Sequence, residues 1–94
     1  MAPSIGYSKN RTAVFISGKG SNLKSLIKFS KTKKSPISID FVISNNTKAK
    51  GLNYAKIYKI KKNVLSFKNK NLSEKKLLSI LKIYNIDMIC LADL

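Results

Sequence analysis

The chain has 94 residues, 44% of them hydrophobic, with 19 Lys and Arg against 4 Asp and Glu and a formal net charge of +15. That apolar share excludes a disordered tail, the length allows one small domain with a modest core, and no apolar run reaches the ~18 residues that a membrane-spanning helix needs. The single cysteine excludes an internal disulfide and fits a reducing, cytoplasmic setting, and the absence of histidine excludes any catalysis that needs an imidazole from this chain.

Residues 1–11, "MAPSIGYSKNR", lack the apolar core of a secretory signal and read as a polar, flexible leader. The folded unit is expected over residues 12–94. "TAVFIS" (12–17) is β-branched and apolar without alternation, which predicts a strand buried on both faces in a parallel sheet. In the segment that follows, Leu23, Leu26, Ile27 and Ser30 fall at i, i+3, i+4 and i+7 on one helical face. Ser21 or Asn22 is the expected cap, and Pro36 the stop. "ISIDFVIS" (37–44) predicts a second strand with Ile37, Ile39, Phe41 and Ile43 on its greasier face.

"NNTKAKG" reads as a loop and "GLNYAKIY" as a short helix or turn. "YKI" offers a small strand, and "KKNVLSFKNKN" reads as connecting chain. "LSEKKLLSILKIYN" is the clearest helix, with Ser73 as cap, Glu74 in the first turn against the dipole, and Leu77, Leu81 and Tyr84 on a face widened by Leu78, Ile80 and Ile83. "IDMICLADL" predicts another buried strand from residue 86 to about 92, with Cys90 as an inert core thiol and Asp87 capping the turn before it. This alternation predicts an α/β fold: an open, mostly parallel sheet with flanking helices and right-handed crossovers.

Ligands in such sheets bind at the carboxyl ends of the strands. "SGKGSN" lies at that edge, after the first strand. Gly18 and Gly20 permit a sharp turn and close approach to bare backbone. The helix then starts at once, so the N–H groups around Gly20, Ser21 and Asn22 sit at the positive end of its dipole, a ready anion site. Ser17, Gly18 and Lys19 support that turn. The spacing is neither a Walker loop nor G-x-G-x-x-G, and a plain strand-to-helix turn remains the rival reading.

Three segments in order carry a resemblance. "ISGKGSNLKSLI" resembles the opening of the folate-dependent glycinamide ribonucleotide formyltransferases, in which a strand leads to S-G-x-G-S-N-L and a helix; Ser17, Gly18, Gly20, Ser21, Asn22 and Leu23 match. "FVISNNTKAKGLNYA" resembles that family's second strand, S-N and G-L-x-x-A, with Ser44, Asn45, Gly51, Leu52 and Ala55 matching. "IDMICLA" resembles its P-D-x-x-x-L-A-G strand through Asp87, Leu91 and Ala92, while Asp93 and Leu94 depart from it.

The resemblance covers residues 12 to 92. It implies a Rossmann-like fold and transfer of a formyl group from 10-formyltetrahydrofolate to the amine of glycinamide ribonucleotide in purine synthesis, without a metal. It implies that Gly20, Ser21 and Asn22 bind the ribonucleotide phosphate. It places a basic folate-side residue nearest Lys70, where a solvated lysine is the competing reading. The family's catalytic Asn, His and Asp lie beyond the strand near residue 92, so the chain is expected to be the phosphate-binding half and inactive alone.

Two relatives of the same fold, formyltetrahydrofolate deformylase and methionyl-tRNA formyltransferase, fit less well. The first usually lacks S-G-x-G-S-N, and the second opens with G-T-P. A small basic nucleic-acid-binding module is the reading of a different class. Its lysines are dispersed and arginine occurs once, whereas base readout favours arginine and a clustered basic face, so no nucleic-acid partner is expected. No membrane partner is expected either.

Overall fold

The structure, a computed structural model, describes residues 9–18, 20–66 and 68–92. In chain order these form β1 (Asn10–Ile16), α1 (Ser21–Ser30), β2 (Ile37–Ser44), α2 (Gly51–Ile57), β3 (Lys61–Val64), α3 (Lys70–Ile83) and β4 (Met88–Leu91). The described strands make one sheet in the order β3-β2-β1-β4, and every neighbouring pair is parallel. The chain steps outward from β1 to β2 to β3, then crosses back through α3 to add β4 on the other side of β1. That reversal puts the topological switch point between the carboxyl ends of β1 and β4.

Two apolar layers follow from this winding. Val14, Ile16 and Val42 meet Leu23 and Ile27 of α1 and Leu52 and Ala55 of α2 on one face. Ala13, Phe41 and Ile43 meet Ile80 on the other, with Leu77, Leu81 and Tyr84 of α3 packed alongside. β1 alternates between these layers and is buried from both sides, as its unbroken apolar run predicts. The helical period of α1 also holds, since Leu23, Ile27 and Ser30 are its buried residues.

The strict alternation expected for 37–44 does not hold. Thr12 pairs with Ile39 but Ala13 pairs with Phe41, so β2 carries one extra residue, Asp40. A bulge shifts the side-chain period by one. Ile37 and Ile39 therefore pack with Val42 on the α1 side, while Phe41 and Ile43 face α3. The displaced Asp40 carboxylate lies 3.2 Å from the Arg11 guanidinium and accepts a 2.5 Å hydrogen bond from the Ser38 hydroxyl.

Other boundaries move for local reasons. β1 takes in Asn10 and Arg11, which the expected leader included, because Asn10 N–H donates to Pro36 O at 2.8 Å. Residues 58–60 turn instead of forming a strand, and the supposed connecting chain contains β3, an edge strand paired with β2 from Phe41↔Lys61 to Ser44↔Val64. Neither Ser21 nor Asn22 caps α1; that position is Gly20. Asn69, not Ser73, caps α3: its Oδ1 accepts from Leu72 N–H at 3.2 Å, and the helix begins early enough that its first turn holds no acidic residue, Glu74 included. Ser73 is buried and its hydroxyl donates to Ser66 O. Leu78 and Ile83 do not widen the core face of α3; both are exposed.

β4 starts at Met88, and it is an exposed edge, not a buried strand, with Cys90 only half-buried. Asp87 does more than cap a turn. Its Oδ2 accepts from Arg11 N–H at 2.8 Å and its own N–H donates to Arg11 O at 2.7 Å, which clamps the start of β4 onto β1. The positions of the leader through residue 8, and of Lys19, Asp93 and Leu94, lie outside the described residues.

The helix C-termini gather at the amino ends of the strands, and cations satisfy their carbonyls. Lys9 Nζ donates to Ser30 O and Thr32 O at 2.5 and 2.8 Å, and Arg11 Nε to Tyr84 O at 2.8 Å. α2 and α3 each end through a residue in the left-handed region, Lys59 (φ 57°) and Asn85 (φ 53°), with Ile60 N–H reaching Ala55 O at 2.8 Å and Ile86 N–H reaching Leu81 O at 2.9 Å. Asn tolerates that conformation better than Lys. Lys59→Gly is expected to stabilise the fold by about 0.5–1 kcal/mol, read as a higher midpoint in urea with an unchanged slope.

Candidate functional site

All four strands are parallel, so the segments that follow Ile16, Ser44, Val64 and Leu91 emerge at one edge. The β1–α1 turn is the tightest of them. Gly20 stands at the cap position of α1 with φ 85° and ψ 16°, a conformation that favours glycine. Its carbonyl accepts from Lys24 N–H at 2.9 Å, closing the first helical bond. Having no side chain, it supplies no side-chain cap. Ser21 and Asn22 are exposed in the first turn.

A second constraint fixes this turn. Gly51, the first residue of α2, lies against it: Gly51 N–H donates to Gly18 O at 3.2 Å. A Cβ on Gly20 would overlap Gly51 Cα and stand 3.0 Å from Tyr54 Cδ2. A Cβ on Gly51 would stand 2.5 Å from Ile16 Cδ1 and 3.1 Å from Gly20 Cα. The two glycines thus allow two backbones to meet, and the separated motifs around residues 18–22 and 51–55 belong to one structure.

The β2–α2 loop is organised by its own polar side chains. Ser44, fully buried, donates its hydroxyl to Asn46 O and accepts from Asn46 N–H, both at 3.0 Å, while Asn46 Oδ1 accepts from Lys48 N–H at 2.9 Å. Ser44 O also accepts from Leu65 N–H at 2.8 Å, which ties the exit of β3 to the same edge.

The structure therefore brings Gly18, Gly20, Ser21 and Asn22 together at the carboxyl end of β1, with Ser17 leading in. Lys70 is at the same edge but follows β3, two strands from β1, or roughly 10 Å at ordinary strand spacing. It is exposed in the first turn of α3. The sequence reading overlooked Gly51 as a partner of the turn, although its place in "KAKGLNYA" offered the signal: a glycine opening a helix. On the α1 side a groove of about 420 Å³ opens beside the switch point and is bordered by Asn22 and Ala92. A second cavity of about 390 Å³ lies at the opposite edge, lined by Lys9, Arg11, Lys31, Lys59 and Lys61 together with Asp40. Four of these five cations already serve helix ends, Asp40 or tyrosine rings, with Lys31 Nζ 5.5 Å from the Tyr58 centroid and Lys61 Nζ 4.6 Å from that of Tyr84. The carboxyl edge is the better candidate site.

A Rossmann-like sheet with a glycine-built turn beside its switch point matches a known class. The formyl transferase family model covers residues 10–94, and the chain belongs to that family. Among its relatives is the human trifunctional purine biosynthetic protein adenosine-3, 38% identical over an alignment of 87 positions that covers 89% of this chain and 9% of that protein. The solved phosphoribosylglycinamide formyltransferase of Anaplasma phagocytophilum is 40% identical with a TM-score of 0.79, over 92% of this chain and 40% of that one. That of Brucella melitensis is 35% identical with a TM-score of 0.84, over 92% and 46%. The chain thus spans less than half the length of these relatives. Among the described residues, no helix is long and apolar enough to cross a membrane.

Gly20→Ala combines a strained φ with a backbone clash and is expected to cost about 1–3 kcal/mol or more. Gly51→Ala meets first a flexible Ile16 terminus and is expected to cost less. Denaturation midpoints of the two variants check the order.

Proposed function

We propose that this chain is the substrate-phosphate-binding part of a phosphoribosylglycinamide formyltransferase, which moves a formyl group from 10-formyltetrahydrofolate to the amine of glycinamide ribonucleotide in purine synthesis in the cytoplasm. One observation carries the reading most: Gly20, Ser21 and Asn22 open α1 at the carboxyl edge of β1, held there by Gly51, in a chain of this family. A phosphate dianion at this turn would meet the positive end of the α1 dipole and the Ser21 hydroxyl and Asn22 amide as hydrogen-bonding groups. Ser17, Gly18 and Lys19 would set the approach of the chain to that anion.

The chain's own share of the reaction is therefore binding and orientation. A turn that fixes the phosphate fixes one end of the ribonucleotide, and its amine is then held at a set reach from β1. Proton transfer at that amine needs a group poised near neutral pH, and no histidine is present in these 94 residues. Lys70 would bear on the folate only through its charge, from the far side of β2. A lysine in the first turn of a helix opposes the dipole, so its retention there costs stability that a bound anion would offset.

Isothermal titration of the chain with glycinamide ribonucleotide and with its dephosphorylated form tests this reading. The phosphorylated ligand is expected to bind at least ten-fold more tightly, with inorganic phosphate competing. Equal binding of the two forms, or none of either, contradicts it. The 94-residue chain alone is expected to give no formyl transfer in a spectrophotometric folate assay.

A further inference from the structure

One cation beside the Gly20 turn lies outside the motif that carries the family resemblance. Lys24 follows "SGKGSNL" directly. Its N–H donates to Gly20 O at 2.9 Å, so it stands one helical turn past the cap, on the same face of α1. Helical side chains lean toward the N-terminus and cover the turn before their own Cα. Gly20 has no side chain to occupy that space, and the Tyr54 ring approaches it: Tyr54 Cδ2 would stand 3.0 Å from a Cβ on Gly20. Lys24 Nζ lies 5.7 Å from the centroid of the same ring, within the ~6 Å over which an aromatic face attracts a cation. Tyr54 is half-buried and packed against the α1–α2 core layer, so it is a fixed post for a long side chain.

The neighbouring elements offer Lys24 no counter-charge. Neither α1, nor α2, nor the loop between β2 and α2 contains Asp or Glu; their charged residues are Lys24, Lys28, Lys48, Lys50 and Lys56. Lys24 is exposed and makes no salt bridge among the described residues. A cation near a helix N-terminus opposes the dipole, and Lys24 and Lys28 form a like-charged i, i+4 pair. Both arrangements cost stability that an anion at the turn would offset.

We propose that Lys24, held beside the turn by the Tyr54 ring, is a specificity-determining residue that makes the turn select a phosphomonoester dianion over singly charged anions. The proposal rests on the reading of the Gly20 turn as the phosphate site. The α1 dipole presents about half an elementary charge at its N-terminus, whereas a lysine ammonium adds a whole one. When a phosphomonoester loses its second proton, at about pH 6, the added negative charge is therefore met more by Lys24 than by the dipole. Tyr54 acts through Lys24, as a positioning residue.

Calorimetric titration of the chain with ribose 5-phosphate at pH 5 and pH 7.5 tests this, because only the phosphate of that ligand titrates in the interval and the chain holds no histidine. The unsubstituted chain is expected to bind about five-fold more tightly at pH 7.5, where the phosphate is a dianion. Lys24→Met is expected to weaken binding at pH 7.5 about ten-fold and to shrink the pH effect to about two-fold. Its urea midpoint is expected to be unchanged or higher, since a cation has left the helix N-terminus. Lys24→Arg is expected to restore both the affinity and the pH effect. Tyr54→Phe keeps the ring and the affinity, whereas Tyr54→Leu is expected to lose about three-fold, with no further loss in the Lys24→Met background. Lys28→Met, one turn further along α1, is expected to leave the affinity within about two-fold. Unchanged affinity and pH effect in Lys24→Met, an equal loss in Lys28→Met, or a loss accompanied by a lower urea midpoint overturns the proposal. In each of those cases a preference of the unsubstituted chain for glycinamide ribonucleotide over its dephosphorylated form still supports the functional reading, and absence of that preference overturns both.

Discussion

The fold turns on the meeting of Gly20 and Gly51. One closes the turn after the first strand, and the other opens the second helix thirty-one residues later. Their backbones approach so closely that a single Cβ on the first would displace the second. Helix α1 then starts directly over the carboxyl end of β1, and α2 is held against the same turn by the bond from Gly51 N–H to Gly18 O. Because α1 and α2 share one face of the sheet, this contact also sets the layer that buries Leu23, Ile27, Leu52 and Ala55. The candidate anion turn is thus positioned by core packing.

Charge is arranged around the same frame. Parallel winding sends every helix C-terminus to the amino edge of the sheet, and Lys9 and Arg11 are drawn there by carbonyls and by Asp40. The opposite edge collects the helix N-termini. Part of the formal charge of +15 is structural, and the basic cavity at the amino edge is a place where most cations are already engaged.

Much of the α/β order was legible from residue types. The apolar run of β1, the period of Leu23, Ile27 and Ser30, and the span of β2 needed no tertiary information. What was hidden has physical causes. β3, "KKNV", is an edge strand largely open to water, so no apolar pattern marks it; it exists because β2 offers it a ladder. The period of β2 breaks at Asp40 because a bulge leaves no trace in hydropathy. The caps were misread because serines are strong generic caps, whereas Gly20 caps through its backbone conformation and Asn69 through a bond to Leu72 N–H. At the site, the Gly20–Asn22 turn was visible as a motif. Its dependence on Gly51 was not, because two residues far apart in sequence meet only through the fold.

The central claim is that the turn at Gly20, and not the basic cavity at the other edge, is the anion site. Amide chemical-shift mapping during titration of the chain with inorganic phosphate tests it most directly. The account predicts saturable shifts at Gly20, Ser21 and Asn22 that vanish in Gly20→Ala. Shifts centred on Lys9, Arg11 and Lys59, with the Gly20 turn unmoved, would contradict it.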